Sequence, residues 1–164
     1  MPRGSWRSPS GDREGVRRAT YDYMAAADAF FSDESPDFEN VLAQLADDVI
    51  MEFAPFPPLP GFMCRGHAEV RAMFGAWIPP SRNPAVVGSP FVRHNITTCH
   101  IELTGKDTAA AKTYFMVMTD LGPDHAGNYD DKLVKKGDRW VFAHRRIALL
   151  WRRPDGRFPP KPRA

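Results

Sequence analysis

The segment FVRHNITTCHIEL, residues 91–103, is the stretch around which the chain is organised, and its β-branched and aromatic residues favour a strand. Side chains along a strand alternate between two faces. One face is predicted to carry Val92, His94, Ile96, Thr98 and His100. If this face points inward, His94 lies in an apolar pocket, where a neutral imidazole can both accept and donate a proton. A core histidine whose ring bonds a backbone carbonyl would give the same pattern.

The strand-like pattern recurs after this segment, in residues 108–121, 129–135 and 139–151. Turns are predicted where Gly, Asp and Asn concentrate between these runs, at residues 104–107, 122–128 and 136–138. The turn GPDHAGN at 122–128 places His125 in solvent. Short connections between consecutive strands indicate an antiparallel meander.

Three helices are predicted before the strands. The first covers residues 16–31 and is rich in alanine, which favours helix. The second begins at Ser35-Pro36 and ends at Asp47-Asp48, where a short strand over residues 49–53 follows. The third covers about residues 67–77. Helices followed by a meander indicate an α+β roll, in which the three helices pack on one face of a curved, mostly antiparallel sheet.

Asp28 is the second candidate functional residue after His94. On the first helix, one stripe at helical spacing contains Tyr21, Met24, Ala25, Asp28 and Phe31. A carboxylate on an apolar face is unfavourable unless it is paired or hydrogen-bonded. Alternatively, the side chain of Asp28 lies at the edge of the stripe and reaches water, or caps the next segment.

Two proline-rich connections interrupt the pattern. The first, APFPPLPG at residues 54–61, contains four prolines, which remove backbone donors and exclude regular structure. Its apolar residues predict either a lid over a hydrophobic pocket or a loop anchored in the core. The second, residues 78–90, joins the third helix to the segment around His94.

The length of 164 residues, with 43% hydrophobic residues, indicates one globular domain. We expect this domain to cover residues 15–151, with a flexible basic tail at 1–14 and a Pro/Arg-rich tail at 152–164. Five arginines oppose two acidic residues in 1–18, and five basic residues oppose one in 151–164, so the net charge of +2 comes from the ends. The sequence predicts neither a membrane span nor a signal peptide, and we expect the protein in the cytoplasm.

The sequence lacks the motifs that mark several common kinds of functional site. Cys64 and Cys99 have no metal-ligand or CxxC spacing and are interpreted as free buried thiols. No cluster of histidine and cysteine predicts a metal site, and no glycine-rich loop predicts a nucleotide site. Basic residues without interleaved aromatic residues do not indicate nucleic-acid binding. We therefore expect no cofactor, metal, nucleic acid or membrane partner.

Five motifs together resemble a known family: YMAAAD on the first helix, LADDV after the second, RGHAEVRAMF as the third, RHNITT, and GNYDDKLVKKGDRWVFAHRRI near the end. They are similar to the SnoaL-like branch of the nuclear transport factor 2-like superfamily over about residues 15–151. This cone-shaped fold is shared by scytalone dehydratase, limonene epoxide hydrolase, polyketide cyclases and steroid Δ-isomerases. The fold hosts many chemistries and also members without catalytic activity.

The resemblance implies a paired site. In scytalone dehydratase-like members, an aspartate late on the first helix bonds a histidine at the start of the long strand, and Asp28 and His94 occupy these places. Other positions depart from that enzyme: its second histidine falls on Thr119, one of its tyrosines on Phe53, and its active-site asparagine on or beside Tyr129. Scytalone is therefore not expected as the substrate.

The sequence hypothesis is a lyase or isomerase without a cofactor, of the dehydratase or cyclase kind, that acts on a small apolar cyclic or aromatic metabolite. His94 is the general acid/base, Asp28 orients it, and either Tyr23 or Tyr129 donates from a phenol. The predicted substrate wall is Tyr23, Met24, Phe53, Met116 and Tyr129, with Tyr114 or Phe115.

The remaining polar residues are expected outside this site. His67 is expected to cap a helix, His100 to lie too far along the strand, and His144, Arg145 and Arg146 to be exposed, although one arginine reaching the cavity is the alternative. The alternative function is a module that binds a hydrophobic ligand, or an assembly subunit of a ring-hydroxylating oxygenase. Exposed sheet faces lead us to expect self-association as a dimer or trimer.

Overall fold

The computed structural model describes residues 9–32, 37–77 and 91–158. Its helices are α1 (Pro9–Phe31), α2 (Glu39–Leu42) and α3 (Gly66–Trp77). Its strands are β1 (Leu45–Phe53), β2 (Phe62–Arg65), β3 (Arg93–Leu103), β4 (Thr108–Thr119), β5 (Gly122–Lys136) and β6 (Arg139–Arg152). The predicted helix start at Ser35-Pro36 and the connection 78–90 fall outside the described residues.

The six strands form one sheet in the order β2-β1-β6-β5-β4-β3. Only the β1–β6 pair is parallel among these neighbours, and every other pair is antiparallel. Helix α1 packs on β3 and β6, and α3 packs on β1 and β2. The core therefore lies between the helices and one face of a curved sheet, which confirms the predicted α+β roll. No helix among the described residues is long and apolar enough to cross a membrane.

Helix α1 begins at Pro9 and not at residue 16, so part of the segment predicted as a flexible tail is helical. Its buried face is also rotated from the predicted stripe, because Tyr21 is 50% exposed and Ala25 is exposed. The buried face consists of Val16, Ala19, Thr20, Tyr23, Met24, Ala27, Asp28 and Phe30. The predicted stripe is therefore correct for Met24, Asp28 and Phe31 and wrong for Tyr21 and Ala25.

The second helix is much shorter than predicted. It ends at Leu42, and β1 begins at Leu45, before the acidic pair that was expected to end the helix. Pairing with two neighbours, β2 and β6, stabilises β1 as a strand. The sequence did not predict β2. The loop 54–61 has no regular strand or helix, as its prolines predicted, and its Phe56 and Leu59 are joined by an isolated bridge.

A bulge in β3 corrects the predicted alternation of its side chains. The register of β3 against β4 shifts between Ile96 and Cys99. His94 and Ile96 point inward as expected, but beyond the shift the inward side chains are Cys99, Ile101 and Leu103. His100 therefore faces outward and is exposed. The alternation rule failed because an extra residue in a strand inverts the faces that follow it.

The segment 122–128 is not a turn but the first half of β5, which pairs with β4 from Gly122 to Val134 and with β6 from His125 to Lys136. Gly127 is required there by close packing, because a Cβ on it would lie 2.1 Å from the carbonyl oxygen of Ala148. Gly127 therefore marks a close backbone approach, whereas Gly122, with φ 88°, follows the turn from β4. The predicted turn between β5 and β6 is confirmed, with Gly137 at φ 63°.

Candidate functional site

A cavity of about 300 Å³ opens between α1, the loop 54–60 and the inner face of the sheet. Its walls are mostly aromatic and aliphatic, and the apolar residues are Ala27, Phe31, Met51, Phe53, Phe56, Leu59, Phe62, Phe74, Val92, Phe115, Val117, Ile147, Leu149 and Phe158. A few polar side chains face the same space, which is the usual composition of a site for a small apolar molecule. The proline-rich loop contributes Phe56, Leu59 and Pro60 to this wall.

His94 lines the cavity, and Asp28 holds it from the helix side. The Nδ1 atom of His94 lies 2.5 Å from Oδ1 of Asp28, and the backbone N–H of His94 donates to the same carboxylate at 3.0 and 3.2 Å. Both side chains are 12% exposed. An ionised carboxylate only accepts, so Nδ1 carries the proton and Nε2 is left as the basic nitrogen. The described residues offer no hydrogen-bond partner to Nε2.

A second carboxylate–histidine pair lies in the same cavity. Nδ1 of His125 is 2.8 Å from Oδ2 of Asp124, and both residues line the cavity wall. The ring of His125 packs against Phe158 at 4.6 Å and against Phe115 at 6.0 Å between ring centroids. His125 was predicted to be solvated in a turn, and this was wrong because the segment is a strand and the residue is 9% exposed.

The C-terminal segment secures this second pair. The backbone N–H groups of Arg157 and Phe158 donate to Asp124 at 2.5 and 3.2 Å. Burial alone would raise the pKa of Asp124, but these bonds and the bond from His125 lower it below the usual value. Burial lowers the pKa of His125, and the charge of His94 adds to this effect, while Asp124 opposes it. His125 is therefore held neutral, with Nε2 as an acceptor.

Arg145 is fully buried and lines the cavity, so the expected exposure of this arginine was wrong and the alternative, that one arginine reaches the cavity, is confirmed. Its Nε and Nη2 donate to the two carboxylate oxygens of Asp131 at 2.9 and 2.8 Å. Its guanidinium carbon lies 4.1–4.4 Å from the ring centroids of Phe142, Tyr23 and Tyr129. Burial alone would lower the pKa of Arg145, but the charge of Asp131 raises it, so the guanidinium stays charged.

The two tyrosines beside Arg145 line the cavity as predicted. Burial raises the pKa of Tyr23 and of Tyr129, and the charge of Arg145 opposes this rise in each case. Both phenols therefore remain protonated and keep a donor. The ring of Tyr129 stacks on Phe115 at 4.2 Å, and Phe115 lies 6.5 Å from the ring of His94.

The predicted substrate wall is partly brought together. Tyr23, Phe53 and Tyr129 line the cavity, whereas Met24 and Met116 do not. Met24 is buried in the hydrophobic core. Met116 lies on the face of β4 opposite to Phe115 and Val117, because neighbours in a strand alternate. Of the two aromatic alternatives on β4, Phe115 faces the cavity and Tyr114 is 45% exposed.

The other candidate histidines lie apart from the cavity. The Nε2 atom of His67, at the start of α3, lies 3.3 Å from the carbonyl oxygen of Leu45. His144 and Arg146 both contact the carboxylate of Glu52, at 3.1 and 3.0 Å. Thr119, the position of the second histidine in scytalone dehydratase-like members, lines the cavity and makes a weak 3.5 Å hydrogen bond to Asp124. Thr119 of β4 and Asp124 of β5 therefore lie together at this position of the cavity wall.

Comparison with known proteins agrees with this architecture. The model of the SnoaL-like domain family matches residues 9–146. No curated protein sequence matches the chain.

Similar solved structures include a protein with a cystatin-like fold from Nostoc punctiforme, with a TM-score of 0.65, 20% identity, and coverage of 88% of this chain and 93% of that one. A candidate scytalone dehydratase from Novosphingobium aromaticivorans has a TM-score of 0.60 and 17% identity, covering 85% of each chain. A candidate β subunit of an aromatic-ring-hydroxylating dioxygenase from the same organism has a TM-score of 0.63 and 18% identity, covering 87% of this chain and 94% of that one. These likenesses establish a shared fold.

Proposed function

The chain belongs to the SnoaL-like domain family, and from this premise we propose that it is a lyase or isomerase that works without a cofactor on a small apolar, cyclic or aromatic metabolite. The observation that carries the proposal is the contact of 2.5 Å between Nδ1 of His94 and Asp28, with the ring in the wall of an apolar cavity. A base needs a fixed tautomer and a dry surrounding, and this arrangement supplies both.

In the proposed reaction, Nε2 of His94 removes a proton from the carbon next to a carbonyl of the substrate. The electron pair of the broken C–H bond moves to the carbonyl oxygen and gives an enolate, while Asp28 stabilises the imidazolium that forms. In an isomerisation the substrate is an unsaturated ketone, its enolate is a dienolate, and the imidazolium returns the proton to the far (γ) carbon, which shifts the double bond. In a dehydration, the enolate expels a hydroxyl from the neighbouring carbon, and the imidazolium protonates it to water.

His125 serves in this scheme as a second, weaker base that orients the substrate. Its Nδ1 is engaged by Asp124, so Nε2 accepts a hydrogen bond from a hydroxyl of the substrate. The lowered pKa of His125 keeps it neutral when His94 becomes charged. The pair thereby favours a hydroxylated ring over a purely hydrocarbon one.

The experiment measures proton removal without knowledge of the natural substrate. Cyclic ketones from cyclohexanone to 1-tetralone are incubated with the protein in D₂O, and exchange of the protons next to the carbonyl is followed by ¹H NMR. General acid/base catalysis by one group contributes roughly 10²- to 10⁴-fold, so His94→Ala should lose about that factor. The matched control is His100→Ala, because His100 is an exposed histidine of the same strand. Equal exchange by the wild type and His94→Ala would remove His94 from the mechanism.

A second candidate function is an assembly subunit of a ring-hydroxylating oxygenase, which the likeness to the candidate dioxygenase β subunit favours. In that case the two histidine pairs would be structural, and no ketone would exchange faster than in buffer. Copurification of the chain with an oxygenase α subunit after coexpression, without exchange activity, would support this second function over the first.

A further inference from the structure

The buried guanidinium of Arg145 is incompletely satisfied. Among the residues that the structure describes, its Nη1 is the one buried side-chain nitrogen or oxygen that has no hydrogen-bond partner. Its other two nitrogens are taken by Asp131, and three aromatic rings pack against the group. A buried donor without an acceptor is costly, and native structures seldom keep one without a reason.

The ion pair with Asp131 determines which nitrogen of the guanidinium is left over for the cavity. Arg145 lines the cavity, whereas Asp131 does not. Nε and Nη2 share the edge that faces Asp131, so Nη1 is the corner that points away from that carboxylate. Tyr23 and Tyr129, whose rings pack against the guanidinium, line the same cavity.

The charge of this donor is already balanced. Arg145 and Asp131 form a two-bond ion pair, and both side chains are fully buried. The pair therefore offers a ligand in the cavity a strong N–H donor but carries no net charge. A ligand carboxylate would have to leave water for an apolar cavity and find no uncompensated cation there. A carbonyl, ether or hydroxyl oxygen loses far less hydration and accepts the same hydrogen bond.

We propose that Nη1 of Arg145 is the binding group for a neutral oxygen acceptor of the ligand, and that the cavity selects ketones, ethers and alcohols over carboxylates. This inference deepens the proposed function, because it concerns the same cavity, and it names the substrate class by its polar atom. It requires no proton transfer by His94, so the two proposals can fail separately.

The test compares three ligands with the same fused ring system: 1-tetralone, tetralin and 1,2,3,4-tetrahydro-1-naphthoate. Their dissociation constants are measured by titration calorimetry at pH 8 with the wild type and with Arg145→Met/Asp131→Leu, which replaces the ion pair by apolar residues of similar size. Differences in ligand hydration cancel when the ketone-to-hydrocarbon affinity ratio is compared between proteins. We expect this ratio to fall about tenfold or more in the double variant, since a hydrogen bond from a charged donor is lost. Arg146→Met is the matched control, because Arg146 contacts Glu52 and does not line the cavity.

A second variant tests the charge argument and remains informative if the double variant does not fold. Asp131→Asn keeps the shape of the side chain and removes its charge, so Arg145 becomes an uncompensated cation. We expect the carboxylate-to-ketone affinity ratio to rise about tenfold or more. The ¹³C carbonyl resonance of bound 1-tetralone should lie downfield of its position in water in the wild type and lose this shift in the double variant.

The outcomes separate the two proposals. If His94→Ala abolishes proton exchange and keeps the ketone preference of the wild type, both proposals stand. If exchange proves independent of His94 while the ketone preference depends on Arg145, the inference stands alone. The inference is overturned if the ketone-to-hydrocarbon affinity ratio is unchanged in Arg145→Met/Asp131→Leu, or if the carboxylate-to-ketone affinity ratio is unchanged in Asp131→Asn.

Discussion

Replacing Asp28 with Asn tests how the helix controls the histidine. In the structure, Oδ1 of Asp28 faces Nδ1 of His94 and Oδ2 faces the backbone N–H of the same residue, at 2.5 and 3.0 Å. An amide has one acceptor and one donor in place of two acceptors. If its oxygen meets the backbone N–H, its NH₂ group faces Nδ1 and forces the proton of His94 to Nε2. The nitrogen that should act as the base is then a donor.

The expected magnitude follows from this exchange of donor and acceptor. Loss of the correct tautomer in a carboxylate–histidine pair reduces turnover roughly 10⁴-fold in serine proteases. We therefore expect ketone exchange to fall about 10²- to 10⁴-fold in Asp28→Asn. Hydrogen bonds to a charged group contribute about 1.5–3 kcal/mol. Because Asn keeps one of them, the free energy of unfolding should fall by about 1–3 kcal/mol, or about 2–10 °C in Tm.

The assay combines exchange rates with ¹⁵N NMR of the histidine ring. The wild type should show His94 with a proton on Nδ1, and Asp28→Asn should show it on Nε2. Asp22→Asn is the control, because Asp22 is an exposed residue of the same helix and has a weak 3.6 Å contact with Arg18. Full exchange activity in a folded Asp28→Asn protein, or an unchanged tautomer, would refute this account of the pair.

Three further predictions concern the residues that build the cavity. Burial lowers the pKa of His125, so just below pH 6.5 the unfolded chain binds a proton more readily than the folded protein does. The free energy of unfolding should therefore fall as the pH drops below about 6.5, and it should fall less in His125→Gln. Thermal melts between pH 5 and 8 measure both. Arg145→Met should cost about 3–5 kcal/mol in urea unfolding, because it leaves Asp131 buried and unpaired, and Asp131→Leu in the same chain should restore most of this; an additive double variant would contradict the pairing. Gly127→Ala should lower the free energy of unfolding by about 3 kcal/mol or more, since its Cβ would lie 2.1 Å from a backbone carbonyl oxygen. Gly75→Ala on α3 has no atom within 4 Å of the added Cβ and should raise the free energy of unfolding by about 0.5–1 kcal/mol. Similar melting temperatures for the two variants would disprove the close approach.

The sequence was sufficient for the architecture and for the first pair of the site. Alternating strand residues and alanine-rich helix segments each follow from local preference and periodicity, so helices and a meander could be predicted. His94 and Asp28 were identified because each is a polar group in an apolar pattern, and the structure brings them into contact. Their catalytic role stays a prediction.

The second pair and the buried arginine required tertiary information. The segment around His125 has the composition of a turn, and only pairing with two neighbouring strands holds it extended. Arg145 was expected at the surface because arginine is seldom buried without a partner. Its partner Asp131 lies opposite to it on β5, and strand register of this kind is not evident from composition. The available signal in the sequence was an acidic residue, Asp131, and a basic residue, Arg145, on two strands that follow each other in the predicted meander.

The most direct measurement of the central claim is the crystal structure of the protein with bound 1-tetralone. We expect the ketone in the cavity beneath the loop 54–60, with a carbon next to its carbonyl about 3–3.5 Å from Nε2 of His94, the distance needed for proton transfer. Asp28 should keep its contact with Nδ1 in this complex. A ketone bound elsewhere would contradict the claim that this pair moves a proton of the substrate. So would a His94 ring whose Nε2 points away from the bound ketone.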